Sequence, residues 1–339
     1  MATRVYLHIG PPKTGTSYLQ DILWHHSETL EQRGLLLPGS RHDHFRAVVD
    51  VLGNAVSAGY NPKHITGAWP RLVEQISAWD GAALVSRETL AGAPPRRVRQ
   101  IVADLAPAQV HVVLTVRDLA RALPAVWQQR LKRGGTESLE DFTARVMEDT
   151  TETGFFQRAQ FPEVVAARWA RVVPAERIHV VTLPPSGAPS RLLWERFGGL
   201  FDIADLPIPD KPKVNSSLGS AEAELLRRVN THLAPHLTKR QASRWVRVEL
   251  ANNVLAARDG YRIALDGSTG DWVAEHARHS VRELEAGGYD VRGDLADLLP
   301  SGRQEPHEAT DAEMLAAATE TIAEMLMKLR AAHGKGGDG

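Results

Sequence analysis

The chain has 339 residues, no cysteine, and 40 lysines and arginines against 41 aspartates and glutamates, which gives a formal net charge of −1. Without cysteine there is no disulfide framework, no cysteine-ligated zinc or iron–sulfur cluster and no thiol nucleophile. A nearly neutral chain is a poor candidate for coating nucleic acid or an anionic membrane, although it can hold a local cationic site. We therefore expect neither nucleic acid nor a membrane as a partner.

The sequence also carries no signal for insertion into or passage across a membrane. No stretch approaches the ~18 consecutive apolar residues of a membrane-spanning helix. The first ten residues lack the apolar run and the small-residue cleavage site of a secretory signal peptide. We therefore expect a cytoplasmic protein.

Short apolar runs alternate with amphipathic segments through the first half of the chain. The apolar runs predict four buried strands, at residues 5–9, 83–86, 110–116 and 178–183. Helical spacing of apolar residues predicts helices at 16–33, 44–52, 70–79, 96–105, 118–133, 142–148 and 164–173. This alternation is typical of a mostly parallel sheet covered on both faces. We predict an α/β fold with a P-loop-like central parallel sheet flanked by helices, and ligands at the carboxyl ends of its strands.

The second half of the chain has a different pattern. From about residue 220 the spacing predicts mainly helices, at 221–233, 240–258, 272–285 and 311–332. A proline-rich segment at 207–212 precedes them. We divide the chain into an α/β core at 1–206, a helical C-terminal region at 207–333 that we expect to belong to the same domain, and a disordered tail at 334–339.

The loop between the first strand and the first helix has the residues of an anion-binding site. Its sequence is Gly10-Pro11-Pro12-Lys13-Thr14-Gly15-Thr16-Ser17-Tyr18. Gly15 permits close backbone approach, Lys13 supplies a positive charge, and the following helix directs its positive end at the loop. The lysine precedes Gly15 by two residues, so this is not a Walker A motif. A tight turn with a solvated lysine is the purely structural interpretation, and the preceding buried strand favours a phosphate or sulfate site.

The segment Pro12-Lys13-Thr14-Gly15-Thr16-Ser17 resembles the 5′-phosphosulfate-binding loop of the sulfotransferases, which use 3′-phosphoadenosine 5′-phosphosulfate (PAPS) as donor. The resemblance implies that Lys13 contacts the oxygen bridging sulfate and phosphate. It also implies that Thr16 and Ser17 hold the 5′-phosphate and that Tyr18 lies against the adenine. The rest of the expected donor-binding loop is Pro12, Thr14 and Gly15.

A second motif follows the most apolar strand, which ends in Val116-Arg117-Asp118. An arginine at a strand end suits anion recognition, because its guanidinium can bind a phosphate through two donors. The motif resembles the 3′-phosphate site of the family, which has an arginine at the strand end and a serine eight positions later. Arg117 matches, but Ala125 stands where the serine is expected. Two groups are candidate substitutes for the serine hydroxyl: Arg121, one turn after Arg117, and the Lys132-Arg133-Gly134 end of the same helix. Arg121 joins the predicted donor-binding residues.

In a sulfotransferase the hydroxyl group that accepts the sulfuryl group must lose its proton to a base. Glu88 is the first candidate for that base. It follows the second predicted strand, and sulfotransferases that act on sugars often use a glutamate in a comparable place. A helix-capping role or a pair with Arg87 is the structural alternative. His44 is the second candidate, and His42 with His44 is a weak metal motif because no third ligand is in sight.

Together these features predict a PAPS-dependent sulfotransferase that transfers a sulfuryl group in line to a hydroxyl of a sugar or small metabolite. The transferred group carries less charge than a phosphoryl group, so no metal is required. A homo-oligomer is compatible with the sequence. Two alternatives stay open. One is a nucleotide-dependent kinase or NTPase of similar fold, with Asp118 near a magnesium site. The other is a non-catalytic nucleotide-binding protein, which the alanine at position 125 keeps open.

Overall fold

The computed structural model describes residues 2–57, 59–148, 155–210, 217–258, 260–302 and 305–334. Within these residues six strands form one sheet in the order β2-β3-β1-β4-β5-β6, and every neighbouring pair is parallel. The strands are β1 Arg4–His8, β2 Leu35–Leu36, β3 Ala82–Ser86, β4 Gln109–Val116, β5 Ile178–Thr182 and β6 Asp290–Arg292. The predicted α/β class with a central parallel sheet is confirmed.

Helices connect and flank the strands. They are α1 Thr16–His25, α2 Ser27–Gln32, α3 Arg41–Leu52, α4 Ala68–Ala78, α5 Pro95–Asp104, α6 Leu119–Leu131, α7 Leu139–Glu148, α8 Phe155–Gln160, α9 Pro162–Ala170, α10 Arg191–Gly198, α11 Ser220–Leu233, α12 Lys239–Ala242, α13 Gly267–Ala286 and α14 Asp311–Gly334. A π-helix at Ser243–Asn252 follows α12. Among the described residues no helix is long and apolar enough to span a membrane.

Two predicted helices are interrupted in the structure. The helix predicted at 16–33 breaks at His26, whose backbone leaves the helical region while its Nε2 bonds the Pro207 carbonyl at 2.7 Å. The helix predicted at 240–258 is divided into α12, the π-helix and a short 3₁₀ turn at Leu255–Ala257. Strands β2 and β6, with two and three residues, are too short for a periodicity to predict.

The chain groups into two compact units, and neither is continuous in sequence. The first comprises Met1–Ala122, Asp149–Val214 and Trp272–Ser301, and it contains all six strands. The second comprises Leu123–Glu148, Asn215–Asp271 and Gly302–Gly339, and its described elements are helical. The division at residue 206 stays a prediction. Most of the predicted tail, residues 335–339, lies outside the described residues.

Side chains that alternate along the strands enter two different apolar clusters. On β1, Val5 and Leu7 belong to one cluster, which includes Val85, while Tyr6 belongs to the other, which includes Leu19 and Trp194. Burial of both faces explains the nearly continuous apolar runs. It also leaves the strand ends as the place where this sheet presents polar groups.

Candidate functional site

The loop from β1 to α1 has an unusual backbone. Lys13 has a φ of 75° and Gly15 has a φ of 81°, so both lie in the left-handed region. A Cβ on Gly15 would stand 2.5 Å from the Cδ2 atom of Leu193, so a larger residue would displace that side chain and would also be strained by the positive φ. A lysine in this region costs free energy, and residues held in this way cluster at ligand sites.

The amino end of α1 is prepared for an anion. In the described part of the chain, α1 has no side-chain cap and no acidic residue in its first turn. Its first backbone hydrogen bond runs from the Leu19 amide to the Gly15 carbonyl, at 3.1 Å. The amides of Thr16, Ser17 and Tyr18 therefore have no acceptor within the helix, and the helix dipole favours a negative group beside them.

The two threonine hydroxyls of the loop serve its folding. Thr14 is 2% exposed, and its Oγ1 donates to the Pro11 carbonyl at 2.6 Å. Thr16 is 6% exposed, and its Oγ1 lies 3.4 Å from the Gly10 carbonyl. Ser17 is partly exposed. Of the two hydroxyls predicted to hold the 5′-phosphate, only that of Ser17 belongs to a side chain with appreciable exposure.

The two predicted motifs meet through Arg117. Its Nη1 donates to the carbonyl oxygen of Lys13 at 3.0 Å, so the arginine that follows β4 contacts the loop that follows β1. Its Nε is buried and has no hydrogen-bond partner among the described residues. Burial, and to a lesser extent Arg121, lower the pKa of Arg117 to about 10, so its guanidinium remains charged at neutral pH. A partly buried cation whose buried Nε donor is unused is the arrangement that an anionic ligand would complete.

Arg121 has partners within the protein. Its Nε forms a salt bridge with Asp118, and both terminal nitrogens lie 3.2 Å from the Pro184 carbonyl. The Asp118 carboxylate is 4% exposed and also accepts the Arg121 backbone amide at 2.9 Å, as a helix cap does. The guanidinium joins the start of α6 to the segment after β5. Its role as a substitute phosphate donor stays a prediction.

Two further contacts hold the loop from outside. The Tyr18 hydroxyl donates to the Ser190 carbonyl at 2.9 Å, and burial raises the pKa of Tyr18. The side-chain amide of Gln160, at the end of α8, donates to the Pro12 carbonyl at 3.3 Å. Sequence reasoning missed Gln160, because only the tertiary fold brings α8 to the loop.

The two candidate bases, Glu88 and His44, have different surroundings in the structure. Glu88 opens a 3₁₀ turn after β3, its side chain is 25% exposed, and Arg87 lies 3.4 Å from its Oε1 atom. His44 is fully buried in α3, where its Nε2 donates to the Pro38 carbonyl at 3.0 Å and its Nδ1 accepts the Ser86 amide at 3.1 Å. Burial lowers the pKa of His44 to about 4. Because both ring nitrogens are bonded to the backbone and neither reaches solvent, we remove His44 from the candidate bases.

A row of buried polar side chains lies beneath the loop, and sequence reasoning missed it. His8 ends β1, Ser86 ends β3, and Thr115 is the penultimate residue of β4. All three are at most 1% exposed. The available signal was a polar residue near the same end of three mostly apolar strands.

No protein-family model and no curated protein matches this chain. Among solved structures, the chain is similar to a crystal structure of a sulfotransferase from Alicyclobacillus acidocaldarius. The two are 12% identical, with a TM-score of 0.46, over 84% of this chain and 94% of that chain.

Proposed function

We propose that this protein is a PAPS-dependent sulfotransferase that moves a sulfuryl group to a hydroxyl of a sugar or small metabolite. The contact between Arg117 and the Lys13 carbonyl carries the proposal. It brings together the two segments that resemble the 5′- and 3′-phosphate sites of the family. A chain of net charge −1 thus concentrates cations at one edge of its sheet.

The residues at this edge fit a doubly phosphorylated donor. The uncapped amino end of α1, with Ser17, would hold the 5′-phosphate, and the unused Nε of Arg117 would bind the 3′-phosphate. When bound, the donor supplies an activated sulfuryl group with a phosphate as its leaving group. Lys13 would stabilise the negative charge that develops on the leaving oxygen.

The transfer needs a base, and Glu88 takes that role in the proposal. The acceptor oxygen forms a bond to sulfur while the bond between sulfur and the phosphate oxygen breaks. The hydroxyl proton passes to the Glu88 carboxylate, which Arg87 holds in place from 3.4 Å. Positioning and electrostatic stabilisation supply the remaining rate enhancement, as in phosphoryl transfer.

Neither alternative function gains support from a specific contact. A kinase or NTPase would need Asp118 near its magnesium ion, but this carboxylate is 4% exposed and occupied by Arg121 and by the cap of α6. A non-catalytic nucleotide-binding protein would bind its ligand through the same cations. Ala125, which stands where the family has a serine, is compatible with that alternative, and an assay of sulfuryl transfer distinguishes it from an enzyme.

Calorimetry separates these functions. We expect 3′-phosphoadenosine 5′-phosphate (PAP), the product of the donor, to bind, and ATP with Mg²⁺ not to bind measurably. Arg117→Ala should weaken PAP binding by at least tenfold, because a buried charge-assisted contact is worth about 1.5–3 kcal/mol. Arg228→Ala is the matched control, since this arginine is 55% exposed on α11. Tight binding of ATP with Mg²⁺ and none of PAP would refute the proposal.

Transfer from radiolabelled donor to a panel of sugars and small alcohols then tests catalysis. A labelled product confirms the enzyme and names the acceptor class. PAP binding without transfer to any acceptor would favour the non-catalytic alternative.

A further inference from the structure

The buried polar side chains beneath the loop form one continuous chain of hydrogen bonds. It connects the ends of β1, β3 and β4 to the loop that carries Lys13. The successive distances are 3.1 Å from Gln20 Nε2 to Ser86 Oγ, 2.8 Å from Ser86 Oγ to His8 Nδ1, 3.4 Å from His8 Nε2 to Thr115 Oγ1, 2.8 Å from Thr115 Oγ1 to Thr14 Oγ1, and 2.6 Å from Thr14 Oγ1 to the Pro11 carbonyl. We call this set the polar chain.

The loop end of the polar chain determines the direction of its bonds. A carbonyl oxygen only accepts, so the single hydroxyl proton of Thr14 is donated to Pro11. Thr115 must then donate to Thr14, which leaves the Thr115 oxygen to accept from His8. This end therefore places a proton on Nε2 of His8.

The opposite end of the polar chain agrees with this result. The side-chain amide of Gln20 donates to the Ser86 hydroxyl oxygen, so the Ser86 proton is available for Nδ1 of His8. With the proton of the neutral ring on Nε2, Nδ1 accepts the hydroxyl proton of Ser86. The loop end therefore specifies the neutral imidazole with its proton on Nε2, and the Ser86 end agrees with it.

The surroundings of His8 also oppose a second proton. The residue is 0% exposed, and burial alone lowers its pKa to about 3. A proton on Nδ1 would face the proton of Ser86. The ring is therefore a fixed donor and acceptor and does not act as a base.

Gly10 shows how closely the loop lies over the polar chain. A Cβ at that position would stand 1.6 Å from Oγ1 of Thr115 and 3.0 Å from Oγ1 of Thr14. Only glycine lets the backbone pass while the two hydroxyls bond to each other. The conformation of the loop and the polar chain therefore depend on each other.

We propose that His8 is a positioning residue for the donor-binding loop, acting through Thr115 and Thr14 to set the backbone that carries Lys13 and Gly15. This inference rests on the proposed function only in taking the ligand of the loop to be the sulfuryl donor. His8 orients the Thr115 hydroxyl, Thr115 orients that of Thr14, and Thr14 fixes the Pro11 carbonyl at the start of the turn.

The first test needs no ligand and no variant. Protein labelled with ¹⁵N-histidine should show, in long-range ¹H–¹⁵N spectra, a fully buried neutral ring protonated on Nε2, unchanged between pH 7 and pH 5. A ring protonated on Nδ1, or a cation at pH 7, would overturn the proposal even if the protein binds PAP. A wild-type protein that does not bind PAP would instead refute the proposed function and leave this result standing.

The second test separates positioning from stability. Thr115→Val interrupts the polar chain and should weaken PAP binding about tenfold, the effect of one buried hydrogen bond. Thr115→Ser keeps the hydroxyl and should recover most of the loss. Thr143→Val is the matched control, because Thr143 is a buried threonine of α7 whose hydroxyl bonds the Glu140 carbonyl. If Thr115→Val lowered the urea midpoint but left the PAP affinity of the folded protein unchanged, the role would be structural only and the proposal would fail.

Discussion

Gly10→Ala is the substitution whose cost the structure defines best. The new Cβ would meet Oγ1 of Thr115 at 1.6 Å and its Cβ at 2.9 Å. Gly10 lies outside the left-handed region, so the cost is steric and not one of backbone conformation. Thr115 is fully buried near the end of β4 and can respond only by rotating its hydroxyl away from Thr14 and His8.

The expected loss of stability has two parts, the overpacking around Thr115 and the loss of the hydrogen bond from His8 Nε2. Overpacking a core costs about 1–3 kcal/mol, and leaving the buried Nε2 donor of His8 without its acceptor costs about 1–3 kcal/mol. We expect Gly10→Ala to lower the free energy of unfolding by about 2–6 kcal/mol, a large part of the ~5–15 kcal/mol of an ordinary domain. PAP binding to the remaining folded protein should weaken as well.

Urea denaturation measures the effect, and a second glycine provides the control. Gly270, near the start of α13, has open space where a Cβ would stand and is not in the left-handed region, so Gly270→Ala should raise stability by about 0.5–1 kcal/mol. Combining Gly10→Ala with Thr115→Ala should cost at least about 1 kcal/mol less than the sum of the single changes. A Gly10→Ala variant as stable as wild type, or strictly additive costs, would refute the contact.

Three further outcomes follow from the site. His8 and His44 have folded-state pKa values lowered by burial to about 3 and about 4, so each takes up a proton on unfolding below its ordinary value of 6.5. Their stabilising contribution is therefore fully present above about pH 6.5 and is lost as the pH falls through the folded-state values of about 4 and about 3, with a combined slope of about 2.5 kcal/mol per pH unit near pH 5. Urea midpoints that do not change between pH 7 and pH 5 would contradict this. Lys13→Ala should lower turnover about 10²–10³-fold, the usual effect of losing one transition-state charge contact, while the protein stays folded by circular dichroism; wild-type turnover would exclude its role at the leaving oxygen. Glu88→Gln should lower turnover about 10²–10⁴-fold with PAP affinity within a factor of about two, and unchanged turnover would assign the base elsewhere.

The fold was largely predictable from the sequence. Strands β1, β3, β4 and β5 lie within one residue of their predicted bounds, because burial on both faces produces apolar runs that need no tertiary information to recognise. Strands β2 and β6 were not predicted, since two or three residues carry no period. They form through pairing with neighbours already in place.

The site was predictable only in part. Lys13 and Arg117 were proposed because one lies in the loop after β1 and the other directly follows β4, and the structure brings the two segments into contact because parallel strands have their carboxyl ends at one edge. His44 was misjudged, because local spacing does not reveal that both ring nitrogens bond to backbone groups, one of them 42 residues away in the chain. Arg121 was likewise expected to be available, and its guanidinium instead contacts Asp118 and Pro184.

Composition and local pattern by themselves determined the α/β class, the absence of thiol chemistry, and a cationic loop between the first strand and the first helix. These properties depend on residue type and on near neighbours along the chain. The hydrogen-bond partners of His8, the need for glycine at position 10 and the contact of Arg117 with the Lys13 carbonyl were decided by the tertiary structure. Each depends on atoms from segments that are far apart in sequence, and the direction of a hydrogen bond is defined only once every group in the chain has found its partner.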